Sequence, residues 1–139
     1  MEIPAVPFTS KRYGASYTEE VTTTGVLRVD GTNLVLEFQD ETLHYTSLAR
    51  ERDAVRTVSI PLAQVDAITV SRKWPWGSRV SIRTRTLEVL GTLPMAMGNA
   101  CTLQIRRVDH DRARELAISV SLHLANEAMR RLEDGQASS

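Results

Sequence analysis

The stretch Gly25-Val26-Leu27-Arg28-Val29-Asp30-Gly31-Thr32-Asn33-Leu34-Val35-Leu36-Glu37-Phe38-Gln39 decides the fold. Gly25, Leu27 and Val29 alternate with Val26, Arg28 and Asp30. Leu34, Leu36 and Phe38 alternate with Val35, Glu37 and Gln39. A period of two marks a strand with one buried face. Gly31-Thr32-Asn33 between the runs supplies turn chemistry. The spacing predicts an antiparallel hairpin whose register is well specified, because a slip by one residue turns every buried side chain outward.

Towards the C-terminus, residues 40–54 admit two readings. Leu43, Tyr45 and Ser47 continue a strand, whereas Arg50-Glu51-Arg52-Asp53 reads as a solvated loop. Val58 and Ile60 then alternate with Thr57 and Ser59, and Pro61 ends that strand because it has no ladder donor. Ala67-Ile68-Thr69-Val70 starts another strand. Trp74-Pro75-Trp76-Gly77 reads as a turn, followed by Val80, Ile82 and Thr84 alternating with Ser81, Arg83 and Arg85. Leu87 and Val89 have the opposite parity, which predicts a bulge or break near Thr86. Gly91 to Gly98, with Pro94 and two methionines, reads as a loop. Leu103 and Ile105 mark a last strand ending near Val108.

Asp109 to Glu133 is different. It has no Gly or Pro and is rich in Ala, Leu, Arg and Glu. This predicts a helix, capped by Asp109 or Asp111 and stopped by Gly135. Leu116, Ala117, Val120 and Leu124 form one apolar stripe, and Ile118, Leu122, Ala125, Met129 and Leu132 an adjacent one. Together they span more than half the circumference. One stripe packs on the sheet, and the other needs a cover from the leader, a loop or a partner chain. Towards the N-terminus, Pro4 and Pro7 interrupt regular structure, so residues 1–20 are expected to be an extended leader whose apolar residues Ile3, Val6 and Phe8 can dock on the body. The domain is expected to span 21–134, with a disordered tail at 135–139.

Six to eight strands joined without intervening helices, then one helix, exclude a parallel α/β sheet. The expected fold is mainly β with one C-terminal α-helix. The order resembles the bacterial pleckstrin-homology-like (PH-like) family in three places. These are the hairpin Gly25–Asp30 to Leu34–Glu37, the step Val58-Ser59-Ile60-Pro61-Leu62-Ala63-Gln64-Val65, and the helix after Leu103-Gln104-Ile105. The resemblance implies a seven-stranded antiparallel sandwich or partial barrel capped by the helix. Phosphoinositide-binding members carry bases around the first hairpin loop; here that loop is Asp30-Gly31-Thr32-Asn33, with an acid and no base.

The chain has 139 residues, 17 basic and 17 acidic, and one cysteine, Cys101. That is one domain's worth of chain. A single cysteine excludes an internal disulfide framework and a thiolate-rich zinc cluster. No apolar run approaches the ~20 residues of a membrane span, and the first residues lack the apolar core of a secretory signal. A cytoplasmic domain is therefore expected. The neutral total conceals an asymmetry. Residues 1–66 hold ten acids and six bases, 67–108 seven bases and one acid, and 109–139 six acids and four bases. Fifteen of the bases are arginine, suited to planar contacts with carboxylate or phosphate.

The basic segment supplies the candidate binding residues Arg72, Lys73, Trp74, Trp76, Arg79, Arg83 and Arg85. Tryptophans beside arginines anchor at membrane interfaces, stack on bases or form protein hot spots. The plain alternative is a solvated strand face whose arginines pair with nearby acids and whose tryptophans fold inward. In a hairpin, Arg83 and Arg85 are expected on one face. The second candidate surface is the self-association stripe Ile118, Leu122, Ala125 and Met129.

No arrangement points to catalysis. His44, His110 and His123 are not spaced as metal ligands, and Asp109-His110-Asp111 reads as a capping cluster. Cys101 reads as a small buried hydrophobe. Glu19-Glu20 and Asp40-Glu41 are adjacent, so strand geometry points them to opposite faces. Met95-Ala96-Met97-Gly98 fills a barrel end or forms an adaptable surface. The expectation is a non-catalytic interaction or assembly module without cofactor or metal, binding a protein partner or its own copies. The second expectation is peripheral binding of anionic lipid at the inner membrane face through the Trp74–Arg85 hairpin. Nucleic acid is disfavoured by the neutral total.

Overall fold

The computed structural model describes residues 3–14, 17–73, 77–91 and 93–137. Among them the chain forms one antiparallel sheet and a single C-terminal helix, the arrangement of a PH-like sandwich capped by a helix. The strands are β1 (Val6–Tyr13), β2 (Glu19–Asp30), β3 (Asn33–His44), β4 (Arg50–Arg52), β5 (Arg56–Pro61), β6 (Val65–Lys73), β7 (Gly77–Thr84), β8 (Ala96–Met97) and β9 (Ala100–Ile105). The helix, α1, spans His110–Ala137.

The sheet order is β4-β3-β2-β1-β9-β7-β6, with β5 on β3 and β8 on β9. Six of these strands, β2, β3, β5, β6, β7 and β9, match the ones expected; β1 falls in the expected leader, and β4 and β8 are short additions of three and two residues. The path ends at β6, which is bonded to β7 on one edge.

The deciding hairpin folds as its alternation dictates. Leu27 faces Leu36 across the ladder, and the turn closes at Asp30↔Asn33. Gly31 takes φ +60° there, a conformation glycine adopts without the penalty a Cβ brings. Leu27, Leu34, Leu36 and Phe38 all belong to the core. Gly25 stands between Phe8 on β1 and Phe38 on β3. A Cβ at Gly25 meets the Glu37 carbonyl oxygen at 2.3 Å, so the packing of these three strands requires glycine.

Several expectations are corrected. The leader is not separate from the domain, because residues 6–13 form β1, paired along its length with β2. Val6 and Phe8 enter the core despite the flanking Pro7. Beside Pro7 the β9 ladder has not begun, since β1 meets β9 at Thr9↔Gln104. Residues 40–54 depart from both readings: β3 continues only to His44, Tyr45 and Ser47 lie in a turn, and Arg50–Arg52, expected in a solvated loop, forms an exposed strand paired with Glu41–Leu43. The parity break after β7 is a short 3-10 helix, Leu87–Leu90, which buries Leu90. Gly135 does not stop α1, which runs through it to Ala137; a Cβ there meets nothing within 4 Å. The helical part of the expected tail, 135–137, is thus ordered.

Polar groups inside the sheet are committed to one another. Asp40, 5% exposed, accepts hydrogen bonds from the Thr23 hydroxyl and from Arg12 and Arg56, the guanidinium nitrogens lying at 3.2 and 2.9 Å. Arg56 also lies 4.9 Å over the Phe38 ring. The cluster ties β1, β2, β3 and β5 together. No helix among the described residues is long and apolar enough to cross a membrane.

Candidate functional site

The first surface is built on α1. Its N-terminus is fixed to the sheet by the hydrogen bond between Ser78 Oγ on β7 and His110 Nδ1. Asp109, 4% exposed, joins Arg106 and Arg112 at 3.3 and 3.8 Å. The Asp-His-Asp triplet thus divides its work, and the histidine anchors the helix to a strand. From this anchor Ala113, Leu116, Ala117 and Val120 enter the core. Leu124 packs half-buried against it. Beyond Leu124 the helix is exposed to Gly135 apart from half-buried Glu127.

The second stripe is left open. Ile118, Leu122, Met129 and Leu132 are 49%, 60%, 60% and 68% exposed, and Ala125 is exposed with them. Their spacings of four, three, four and three residues follow the seam of a coiled coil. Between this stripe and β6 runs a groove of about 450 Å³. Ile68, Thr69 and Val70 form one wall; Ala117, Ile118 and Leu122 form the other, with Arg114 beside them. The terminal strand β6 and the open stripe therefore share one apolar depression. Sequence reading found the stripe but not β6 beside it, because the packing of α1 across that strand is a tertiary relationship.

The second surface is the basic segment. Arg72, Arg79, Arg83 and Arg85 form no ion pair with any described acid. The expected pairing with nearby acids is therefore absent among the described residues. Arg79 and Arg83 sit on β7 across from Ser71 and Ala67 of β6. Arg85 does not share the strand face of Arg83. The strand ends at Thr84, and Arg85 bonds its N–H to the Gln64 carbonyl. Its side chain lines a separate cavity of about 490 Å³ with Thr32, Asp66, His123 and Glu127. Arg72 is exposed near the end of β6. Lys73 closes that strand, while Trp74 and Trp76 lie outside the described residues.

The remaining candidates are structural in their surroundings. His44 lies between Glu19 and Glu51, at 3.3 and 3.6 Å. The Tyr45 hydroxyl donates to Glu20, and that bond pushes the phenol up to about 12. Cys101 is buried, which pushes its thiol up to about 12. Such a thiol is a weak nucleophile at neutral pH. Met95 packs against the core and Met97 is 84% exposed. Among the described residues no three His, Cys, Asp or Glu side chains are grouped to hold a metal ion. No family model, curated protein or solved structure matches the chain.

Proposed function

We propose that this chain is a non-catalytic, PH-like interaction module that assembles with its own copies through the outer face of α1. The observation that carries this reading is the unbroken four-three spacing of exposed apolar residues from Ile118 to Leu132, beside the groove on β6. An exposed apolar patch that continues into a groove is the usual mark of a protein contact. Charged residues are absent from the stripe itself, as they are from the centres of interfaces. The test is co-expression of two differently tagged copies. Each copy is expected to retain the other, and Leu122→Asp is expected to release it. Failure of the unmodified copies to retain one another overturns the reading.

A second reading is favoured by a different observation: Arg72, Arg79 and Arg83 pair with no acid among the described residues. Guanidinium groups not engaged with protein acids are free to meet anionic headgroups. Under this reading the chain sediments with phosphatidylserine vesicles and not with phosphatidylcholine vesicles. Arg79→Glu combined with Arg83→Glu abolishes sedimentation. Equal sedimentation of the doubly reversed variant overturns it.

A further inference from the structure

We propose that the groove between α1 and β6 is filled by α1 of a second copy, laid antiparallel with Ile118 opposite Met129 and Leu122 opposite Ala125. This inference rests on the self-association reading above and gives it a geometry.

Three observations point to that occupant. The first is length. At 1.5 Å per residue the 28 residues of α1 span ~42 Å. Core contact ends at Leu124, and the ~20 Å of helix after it, residues 125–137, only borders the cavity beside Thr32 and Arg85 as far as Arg131. Their apolar residues, Ala125, Met129 and Leu132, continue the same seam that borders the groove at Ile118 and Leu122. In an antiparallel pair the exposed seam of each C-terminal half lies along the partner's groove-bearing half, so one isologous contact covers both copies of the seam.

The second observation is the match of size. Heptad positions a and d face each other in an antiparallel pair, and this register sets Leu122 against the small Ala125. On the groove side Ser121 meets Ala128, and on the other side Ser119 meets Asn126. Short side chains at these positions let the helices approach closely, and the small residues face the wall formed by Ile68, Thr69 and Val70.

The third is charge. The same register brings Glu133 of one copy to Arg112 of the other, with Asp134 beside Arg114. Glu133, Asp134 and Arg114 form no ion pair among the described residues, and Arg112 meets Asp109 only at 3.8 Å. A parallel pair makes neither contact, because it sets the C-terminal Glu133 and Asp134 beside the partner's own C-terminal end. It also crowds the two sheets at the same end.

The test uses the full chain with Ile118→Cys and Met129→Cys, made singly and mixed. The native Cys101 is buried and does not compete. Under mild oxidation the mixture is expected to form disulfide-linked dimers joining the two variants, while each variant alone stays unlinked. Sedimentation of the unmodified chain is run beside it. Cross-linking of either single variant with itself, or no cross-link in a chain that sediments as a dimer, overturns the antiparallel arrangement and leaves self-association standing. A chain that sediments as a monomer overturns both.

Discussion

Ala117 and Ile118 are neighbours in the chain, and the boundary of the core passes between them. Ala117 is 7% exposed and Ile118 is 49% exposed. One residue is a rotation of about 100°, enough to carry the side chain from the packed face of α1 to the open one. The helix therefore carries two apolar stripes of different standing. One holds it on the sheet, and the other lies unused beside the groove on β6.

Substitutions on the two stripes are expected to separate stability from association. Leu116→Ala removes a fully buried side chain and costs about 2–5 kcal/mol in denaturant unfolding. Leu122→Asp changes unfolding by about 0.5 kcal/mol or less and weakens association at least about fivefold, the effect of an interface residue contributing more than ~1 kcal/mol. Equal loss of stability in both variants contradicts the division of the helix.

The Asp40 cluster is expected to matter to stability because its acceptor is buried and its donors come from three other strands. Asp40→Asn leaves Arg12 and Arg56 without their carboxylate and costs about 1–3 kcal/mol. Urea unfolding at neutral pH measures it. An unchanged midpoint shows that the cluster contributes nothing net.

Cys101 is expected to resist alkylation by iodoacetamide in the folded chain and to react on unfolding. Its buried thiol ionises only near 12, against 9 for an ordinary thiol. The sign follows from that rise. The contribution to stability is fully present below about pH 9 and is lost as pH climbs towards 12, because the unfolded chain releases the proton first. Cys101→Ala flattens that part of the stability profile. A profile unchanged by the substitution contradicts the assignment.

Arg79→Glu combined with Arg83→Glu is expected to leave unfolding within about 0.5 kcal/mol, because neither arginine has an acid to lose among the described residues. Thermal melting monitored by circular dichroism reads this directly. A fall of several degrees points to a structural partner for one of them.

These predictions also mark how much was legible beforehand. Hairpin β2–β3 was readable because Leu27, Leu34, Leu36 and Phe38 fall on alternate positions around a Gly31 turn, although Val35 on the opposite face is buried as well. Strand β1 was not, because Pro7 breaks the local pattern while its pairing with β2 comes from distant residues. The open stripe of α1 was readable from spacing, but the groove was not. Ile68 and Val70 look like any strand interior until α1 packs beside them. The separation of Arg83 from Arg85 was hidden for the same reason, since it depends on where β7 ends and on the bond from Arg85 to Gln64. Gly135 misled because glycine at a helix end signals a stop only when it turns left-handed.

Sedimentation equilibrium of the unmodified chain, from low micromolar to about millimolar loading, tests the central claim most directly, since a standard-sized interface holds at such concentrations. The expected result is a mass rising from monomer to dimer, with Leu122→Asp remaining a monomer throughout. A monomer mass for the unmodified chain at every concentration contradicts assembly through α1.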